Sequence, residues 1–157
     1  MRNNMERTVV LIKPDGIQRG LVGEIMHRFE RKGLKLVGLK MVTMTDAMLD
    51  SWYVHHKDKP FFETLKTFME WTPVVAMVWE GLEAVAAVRK IVGITKAREA
   101  EAGSIRGDFG MSGSQNIIHA SDSLESAEKE LGLIFNADEI FDYESGMDSL
   151  IYSKGEA

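Results

Sequence analysis

Apolar residues along this chain fall into continuous runs, alternating runs and helically spaced stripes. Residues 8–12 (Thr-Val-Val-Leu-Ile) and 74–79 (Val-Val-Ala-Met-Val-Trp) are short unbroken apolar runs, which read as buried strands. Residues 34–44 alternate apolar positions with Lys and Thr, as a longer strand does. Residues 116–119 form a fourth, short strand. Between them, Leu21, Val22, Ile25, Met26 and Phe29 recur at helical spacing over residues 20–32, and Gly33 ends the stripe. A short helix is predicted over residues 45–53, and Pro60 opens another over residues 61–70, broken by Thr72-Pro73. Residues 81–92 carry Leu82, Val85, Ala86 and Arg89 in one stripe, and residues 123–133 make a further helix. Lys13-Pro14-Asp15-Gly16 reads as a turn, and residues 93–113, with five glycines and little periodicity, as mostly loop. Two apolar clusters in the tail, residues 140–143 and 150–152, are expected to dock on the body.

The order is β-α-β-(two short helices)-β-α-loop-β-α-tail. It predicts one α+β domain over residues 1–157 of the ferredoxin-like βαββαβ type. Helices would cover one face of an antiparallel sheet, with a helical insertion after the second strand and a C-terminal extension. That fold hosts many activities, so function has to come from particular side chains.

Composition narrows the classes. Hydrophobic content of 45% and charged content of 27% in 157 residues are ordinary for a globular chain. A net charge of −5 argues against nucleic acid as a partner held by a broad basic surface. No cysteine is present, which excludes disulfides, thiol catalysis and cysteine-bound zinc. The N-terminal residues lack the h-region of a signal peptide, and no apolar run is long enough for a membrane span, so a cytoplasmic location is expected.

Candidate chemistry centres on His119, at the end of Asn116-Ile-Ile and just before a helix start. Asp122 reads as the N-cap, with Glu125 in capping-box register. A histidine on such a corner can act as nucleophile or proton carrier, its unperturbed pKa being about 6.5. Several other polar residues sit where the surrounding pattern wants apolar ones. Lys13 continues the strand phase of Val9 and Leu11, Arg89 lies on an apolar stripe, Arg106 lies in a glycine-flanked segment, and Glu130 falls between the core and solvent faces of its helix. Each has a bland alternative: a snorkelling lysine, an Arg89 paired with Glu83 or Glu99, a solvated Glu130. Together, three cations and a histidine suggest an anion site. No P-loop and no Gly-x-Gly-x-x-Gly is present, so a phosphate would be held by Lys and Arg side chains. Phe61 is a candidate platform for a flat ring, and Phe62 reads as core. His55 and His56 lack metal-ligand spacing and read as solvated, against a metal hydrolase.

Five blocks in order, Lys13-Pro-Asp-Gly16, Lys59-Pro-Phe-Phe62, Pro73-Val-Val-Ala-Met-Val-Trp-Glu-Gly81, Ile105-Arg-Gly-Asp-Phe109 and Asn116-Ile-Ile-His-Ala-Ser-Asp-Ser123, resemble nucleoside diphosphate kinases. The resemblance implies ping-pong transfer of the γ-phosphoryl group of a nucleoside triphosphate, mainly ATP, to nucleoside diphosphates through phosphorylated His119. It implies Glu130 and Ser121 as the partners of His119, with Tyr53 nearby. Lys13 and Asn116 would hold the ribose 3′-hydroxyl, with Lys13 also on the phosphates. Arg89, Thr95 and Arg106 would bind phosphate, and Phe61 with Leu65 the base. The cofactor implied is Mg2+, carried by the nucleotide phosphates with no protein ligand set. The assembly implied is a homo-oligomer, hexamer first, with tetramer and dimer as alternatives. The chain departs from the family pattern at Ile94, at Lys96-Ala97 where Asn-Pro is usual, and at Ala102-Gly103 where Pro-Gly is common. The tail also lacks a tryptophan often found there. The rival from another class is a non-catalytic nucleotide-binding protein, which would require loss of a core residue; none is lost.

Overall fold

The computed structural model describes residues 5–157. Strand β1 (Met5–Ile12) leads into a short helix α1 (Pro14–Gln18) and then helix α2 (Val22–Lys32). Lys13 to Gly16 is therefore the entry to a helix rather than a plain turn. Pro14 suits it, because proline at the first helical position gives up no hydrogen bond. Gly33 closes α2 in the left-handed conformation, φ 98°, as its place in the sequence suggests. Strand β2 (Lys35–Val42) follows, then α3 (Asp46–Trp52), capped by Thr45, whose hydroxyl accepts from the Met48 N–H at 3.2 Å. A 3-10 turn over Val54–His56 leads to α4 (Phe62–Met69).

Strand β3 (Val74–Leu82) runs three residues further than the apolar run suggests, and α5 (Ala84–Val92) begins only after Glu83, φ 48°. The buried side of α5 is Ala84, Val85, Val88 and Val92; Ala86 faces out, and Arg89 flanks the stripe half-buried. Residues 93–113 hold more than loop: a 3-10 turn at Ala97–Glu99 and helix α6 (Ile105–Phe109), capped by the Ser104 hydroxyl on the Gly107 N–H. Gly107 is required there, since a Cβ would lie 1.9 Å from the Glu101 carbonyl oxygen. Strand β4 (Ile118–Ala120) is shorter than expected, and α7 (Leu124–Ile134) is capped by Ser123, not Asp122, the Ser123 Oγ accepting from the Ser126 N–H at 3.1 Å. A last helix, α8 (Asp148–Ile151), lies in the tail.

The sheet is antiparallel with order β2-β3-β1-β4, which is the ferredoxin-like arrangement. Val10, Ile12, Met77 and Trp79 pack one face against Ile25 and Phe29 of α2 and Val88 and Val92 of α5. Val9, Leu11, Ala76 and Val78 pack the other against Leu49 and Trp52 of α3, Met69 of α4 and Ile134 of α7. The two crossover helices thus share one face, and the insertion with α7 covers the second. This is why β1 and β3 read as unbroken apolar runs rather than alternating ones. The tail docks through Ile140 in that second core, through Phe141 N–H on the Val37 carbonyl at 2.9 Å, and through Tyr152, whose hydroxyl accepts from Leu82 N–H at 3.3 Å.

Candidate active site

Register decides where His119 points. It lies opposite Leu11 in the β1–β4 ladder, and paired residues share a face. Leu11 faces α3 and α7, so His119 faces them too, while Ile118 and Ala120 turn into the other core. There the side chain meets Glu130 of α7, whose carboxylate oxygens both lie on Nε2, at 2.9 and 3.0 Å. Ser121 is fully buried behind them. Its Oγ accepts from Val9 N–H at 3.1 Å and donates to Glu130 Oε1 at 2.7 Å. Trp52, at the end of α3, stands edge-on to the imidazole with ring centroids 5.1 Å apart.

The cations converge on the same cleft, a cavity of about 930 Å³ that Lys13, Tyr53, Phe61, Leu65, Arg89, Thr95, Arg106, Asn116, His119 and Glu130 help to line. Of the candidate site residues, Ser121 stays behind the wall and meets it through Glu130. Lys13 is buried and donates to Asn116 Oδ1 at 2.7 Å. Asn116 in turn donates to the carbonyls of Thr95 at 2.9 Å and Gly113 at 3.0 Å, which ties the rim to the floor. Arg106 does not sit in a glycine loop but on α6, buried, with donors on the carbonyls of Gly93, Asn116 and Ile118. Arg89 donates to the Ala120 carbonyl at 3.4 Å rather than to Glu83 or Glu99.

Among the described residues no carboxylate forms an ion pair with Lys13, Arg89 or Arg106, although Asp15 lies near Lys13 and Asp122 near Arg89, and their ionisation shows the crowding of cations. Burial, and then the neighbouring Arg106, pushes the Lys13 amine down to about 8, against a smaller opposing pull from Asp15. Burial, and then Arg89, pushes Arg106 down to about 10. Burial, and then Glu130, raises the Tyr53 phenol, so its O–H remains a donor at neutral pH. Cations that hold one another's pKa down in a partly dry cleft are arranged for an anion that arrives from outside.

The mouth of the cleft is aromatic. Phe61 is half exposed, whereas Phe62 is buried. Sequence reasoning treated His56 as solvated with His55, and the structure separates the two. His55 is exposed, while the His56 ring is half-buried, 5.5 Å from Phe61 and 6.1 Å from Tyr53, with Nδ1 shielded from solvent and unpartnered. Nothing in the polar run His-His-Lys-Asp-Lys distinguishes them, because the difference is made by ring packing across the 3-10 turn. Trp52 lies within the short helix predicted over residues 45–53, and no sequence signal marks its contact with His119, which depends on strand register.

The chemistry available is nucleophilic. Glu130 claims Nε2, which keeps the proton there and leaves Nδ1 with the lone pair. Among the described residues no set of three or more His, Asp or Glu side chains converges as metal ligands. No helix of the described residues is long and apolar enough to cross a membrane.

The chain is similar to known proteins over most of its length. A family profile described as nucleoside diphosphate kinase matches residues 6–140. The nucleoside diphosphate kinase of Carboxydothermus hydrogenoformans is 50% identical over 148 residues, 94% of this chain and 99% of the relative. Human nucleoside diphosphate kinase A is 53% identical over 149 residues, 95% of this chain and 98% of the relative. Among solved structures, the halophilic nucleoside diphosphate kinase of Halobacterium salinarum in complex with CDP superposes with a TM-score of 0.91 at 44% identity, covering 94% of this chain and 98% of that one.

Proposed function

This chain belongs to the nucleoside diphosphate kinase family and transfers the γ-phosphoryl group of a nucleoside triphosphate to a nucleoside diphosphate; we propose that His119 carries the group between them. The observation that carries the assignment is the double contact of Glu130 on His119 Nε2, facing a cleft lined by Lys13, Arg89 and Arg106.

The Nδ1 lone pair attacks the γ-phosphorus, an Nδ1–P bond forms, and the bond from phosphorus to the β–γ bridging oxygen breaks. The electron pair leaves on the nucleoside diphosphate. The imidazole keeps its Nε2 proton and gains positive charge, which the Glu130 carboxylate offsets. Ser121 holds that carboxylate in place. A second diphosphate then presents a terminal oxygen to the same phosphorus, and the sequence reverses. Arg89, Arg106 and Lys13 bind the spread negative charge of the loose transition state, with Thr95 at the rim. Lys13 and Asn116 together hold the ribose 3′-hydroxyl, and the Tyr53 phenol donates beside the histidine. Phe61 stacks on the base with Leu65 beside it; stacking accepts any base, which suits an enzyme of broad nucleotide range.

The cofactor is Mg2+, bound by the nucleotide's own phosphates. What supports this is the set of cations Lys13, Arg89 and Arg106 in the cleft lining, suited to the phosphates that would carry the ion. Magnesium supplies charge neutralisation at the β- and γ-phosphates. The protein acts in the cytoplasm, where its nucleotide substrates are, and as a homo-oligomer with the hexamer as first expectation. Exposed Leu39 and Met41 on the outer strand β2, and exposed Ile94 and Met111 around α6, support assembly.

The test is intact-protein mass after brief incubation with Mg-ATP and no acceptor. The expected product is one acid-labile phosphoryl adduct, absent in His119→Ala and discharged by GDP. ATP binding without an adduct would instead identify a nucleotide sensor on this scaffold.

A further inference from the structure

Between Lys13-bonded Asn116 and His119 the backbone does something a strand cannot. The Ile118 N–H donates to the Asn116 carbonyl at 2.8 Å, closing a three-residue γ-turn, and Ile117 at its centre has φ 75°. That is the rare, strained form of the γ-turn, and a β-branched residue is among the least suited to it. The turn has a clear consequence. In a regular strand, residues three apart point to opposite faces, about 10 Å apart. Here the reversal at Ile117 lets Asn116 and His119 line one cleft.

Strain of this kind persists only where the surroundings over-determine it, and residues 13–16 do so. The Ile117 carbonyl accepts from Lys13 N–H at 2.8 Å. The Ile117 N–H donates to Asp15 Oδ2 at 3.0 Å. Gly16 leaves the room: a Cβ there would lie 3.1 Å from the Ile117 carbonyl oxygen and 3.2 Å from its Cγ2. Asp15 is itself buried, and its other oxygen, Oδ1, is shielded with no hydrogen-bond partner. A buried carboxylate with one oxygen unsatisfied is a poor choice for stability alone, and such exceptions call for a reason.

We propose that Asp15 is a positioning residue for phosphoryl transfer: its carboxylate holds the strained turn at Ile117 and so sets His119 against the Lys13–Asn116 pair. It touches no reacting atom and acts through the Ile117 N–H. The inference rests on the phosphohistidine reading above, in which that pair holds the ribose 3′-hydroxyl.

The experiment measures single-turnover phosphorylation of the full chain by Mg-ATP and by Mg-3′-deoxy-ATP. The parent is expected to favour ATP by about tenfold or more, the 3′-hydroxyl contact being realised in the transition state. Asp15→Ala should slow ATP far more than the deoxy donor, cutting that preference to under about a third of its parent value. Asp15→Asn keeps an acceptor oxygen for the Ile117 N–H and should keep the preference. If Asp15→Ala does not fold, Asp15→Ser, whose hydroxyl is too short to reach, is read in the same way. Equal slowing of both donors, an unchanged rate, or an Asp15→Asn variant as impaired as Asp15→Ala overturns the proposal. A parent that forms no acid-labile phosphoenzyme overturns the underlying reading instead.

Discussion

Both carboxylate oxygens of Glu130 lie on a single imidazole nitrogen of His119, Oε1 at 2.9 Å and Oε2 at 3.0 Å from Nε2. One N–H cannot donate fully to two acceptors, so the pair tolerates small ring rotations while fixing which nitrogen holds the proton. Removing the carboxylate frees the tautomer and withdraws the charge that offsets the phosphorylated ring. Glu130→Ala should therefore slow phosphoenzyme formation by about a hundredfold, within the range of a positioned proton-handling group. Nucleotide affinity should change little, because Glu130 faces the histidine. Rapid-quench single turnovers read the rate, and equilibrium titration on His119→Ala against His119→Ala/Glu130→Ala reads the affinity.

Lys13 sets a basic limit on activity. Its amine is pushed down to about 8 by burial, with Arg106 adding to the effect, so the free enzyme loses this cation as pH rises through that value. The profile of kcat/KM against pH should fall above about 8, while kcat at saturating nucleotide should fall later, because bound phosphate restores the amine's preference for charge. The sign for stability is opposite. Between about pH 8 and the ordinary lysine range the unfolded chain holds a proton that the folded chain lacks, so this group's contribution to stability rises with pH. Thermal melts across the same range separate the two: Lys13 predicts lost turnover without lost folding.

Trp52 is placed to report the state of His119. Its ring is edge-on to the imidazole at 5.1 Å, whereas Trp79 is buried against Phe29 on the far face of the sheet. Loading the histidine with a dianionic phosphoryl group should change tryptophan emission, and addition of GDP should reverse the change. The signal should vanish in Trp52→Phe and survive in Trp71→Phe, Trp71 lying exposed just beyond the end of α4. A signal retained in Trp52→Phe would assign it elsewhere.

Phe61 should matter equally to every nucleotide. Its ring is half exposed at the mouth of the cleft, 5.5 Å from the His56 ring. Phe61→Ala is expected to weaken binding by about 1–3 kcal/mol, the usual worth of one base–aromatic stack. The loss should be alike for adenine, guanine, cytosine and uracil nucleotides in competition titrations. A loss confined to purines would point to an edge contact rather than stacking.

The parts of this molecule most visible in the sequence are those written in local pattern. Unbroken apolar runs marked β1 and β3, Gly33 marked the end of α2, and Lys13, Arg89, Arg106 and Glu130 stood out because each breaks the burial pattern around it. Local pattern misled where two signals overlapped. Asp122 and Ser123 are both good caps; the Ser123 Oγ takes the Ser126 N–H, while the Asp122 carboxylate bonds the Ser126 and Ser123 side chains. Asn116-Ile-Ile has strand composition, yet its first two residues form a turn, because the contacts of the Asp15 carboxylate and the Lys13 N–H with the Ile117 backbone outweigh β propensity there. Residues 93–113 lacked an apolar stripe because α6 spans only Ile105–Phe109, too few residues for a period to show.

The sequence alone determined which side chains offer charge, hydroxyl and imidazole for chemistry, since these are properties of the residues themselves, and it determined the order of strands and main helices, since hydrophobic period is local. Tertiary structure decided how those residues face one another. It chose the nitrogen of His119 that Glu130 holds, brought Trp52 and His56 to the cleft, and folded the chain back at Ile117. These depend on strand register and on contacts between segments a hundred residues apart, such as Lys13 with Asn116 and Asp15 with Ile117, which no local pattern encodes.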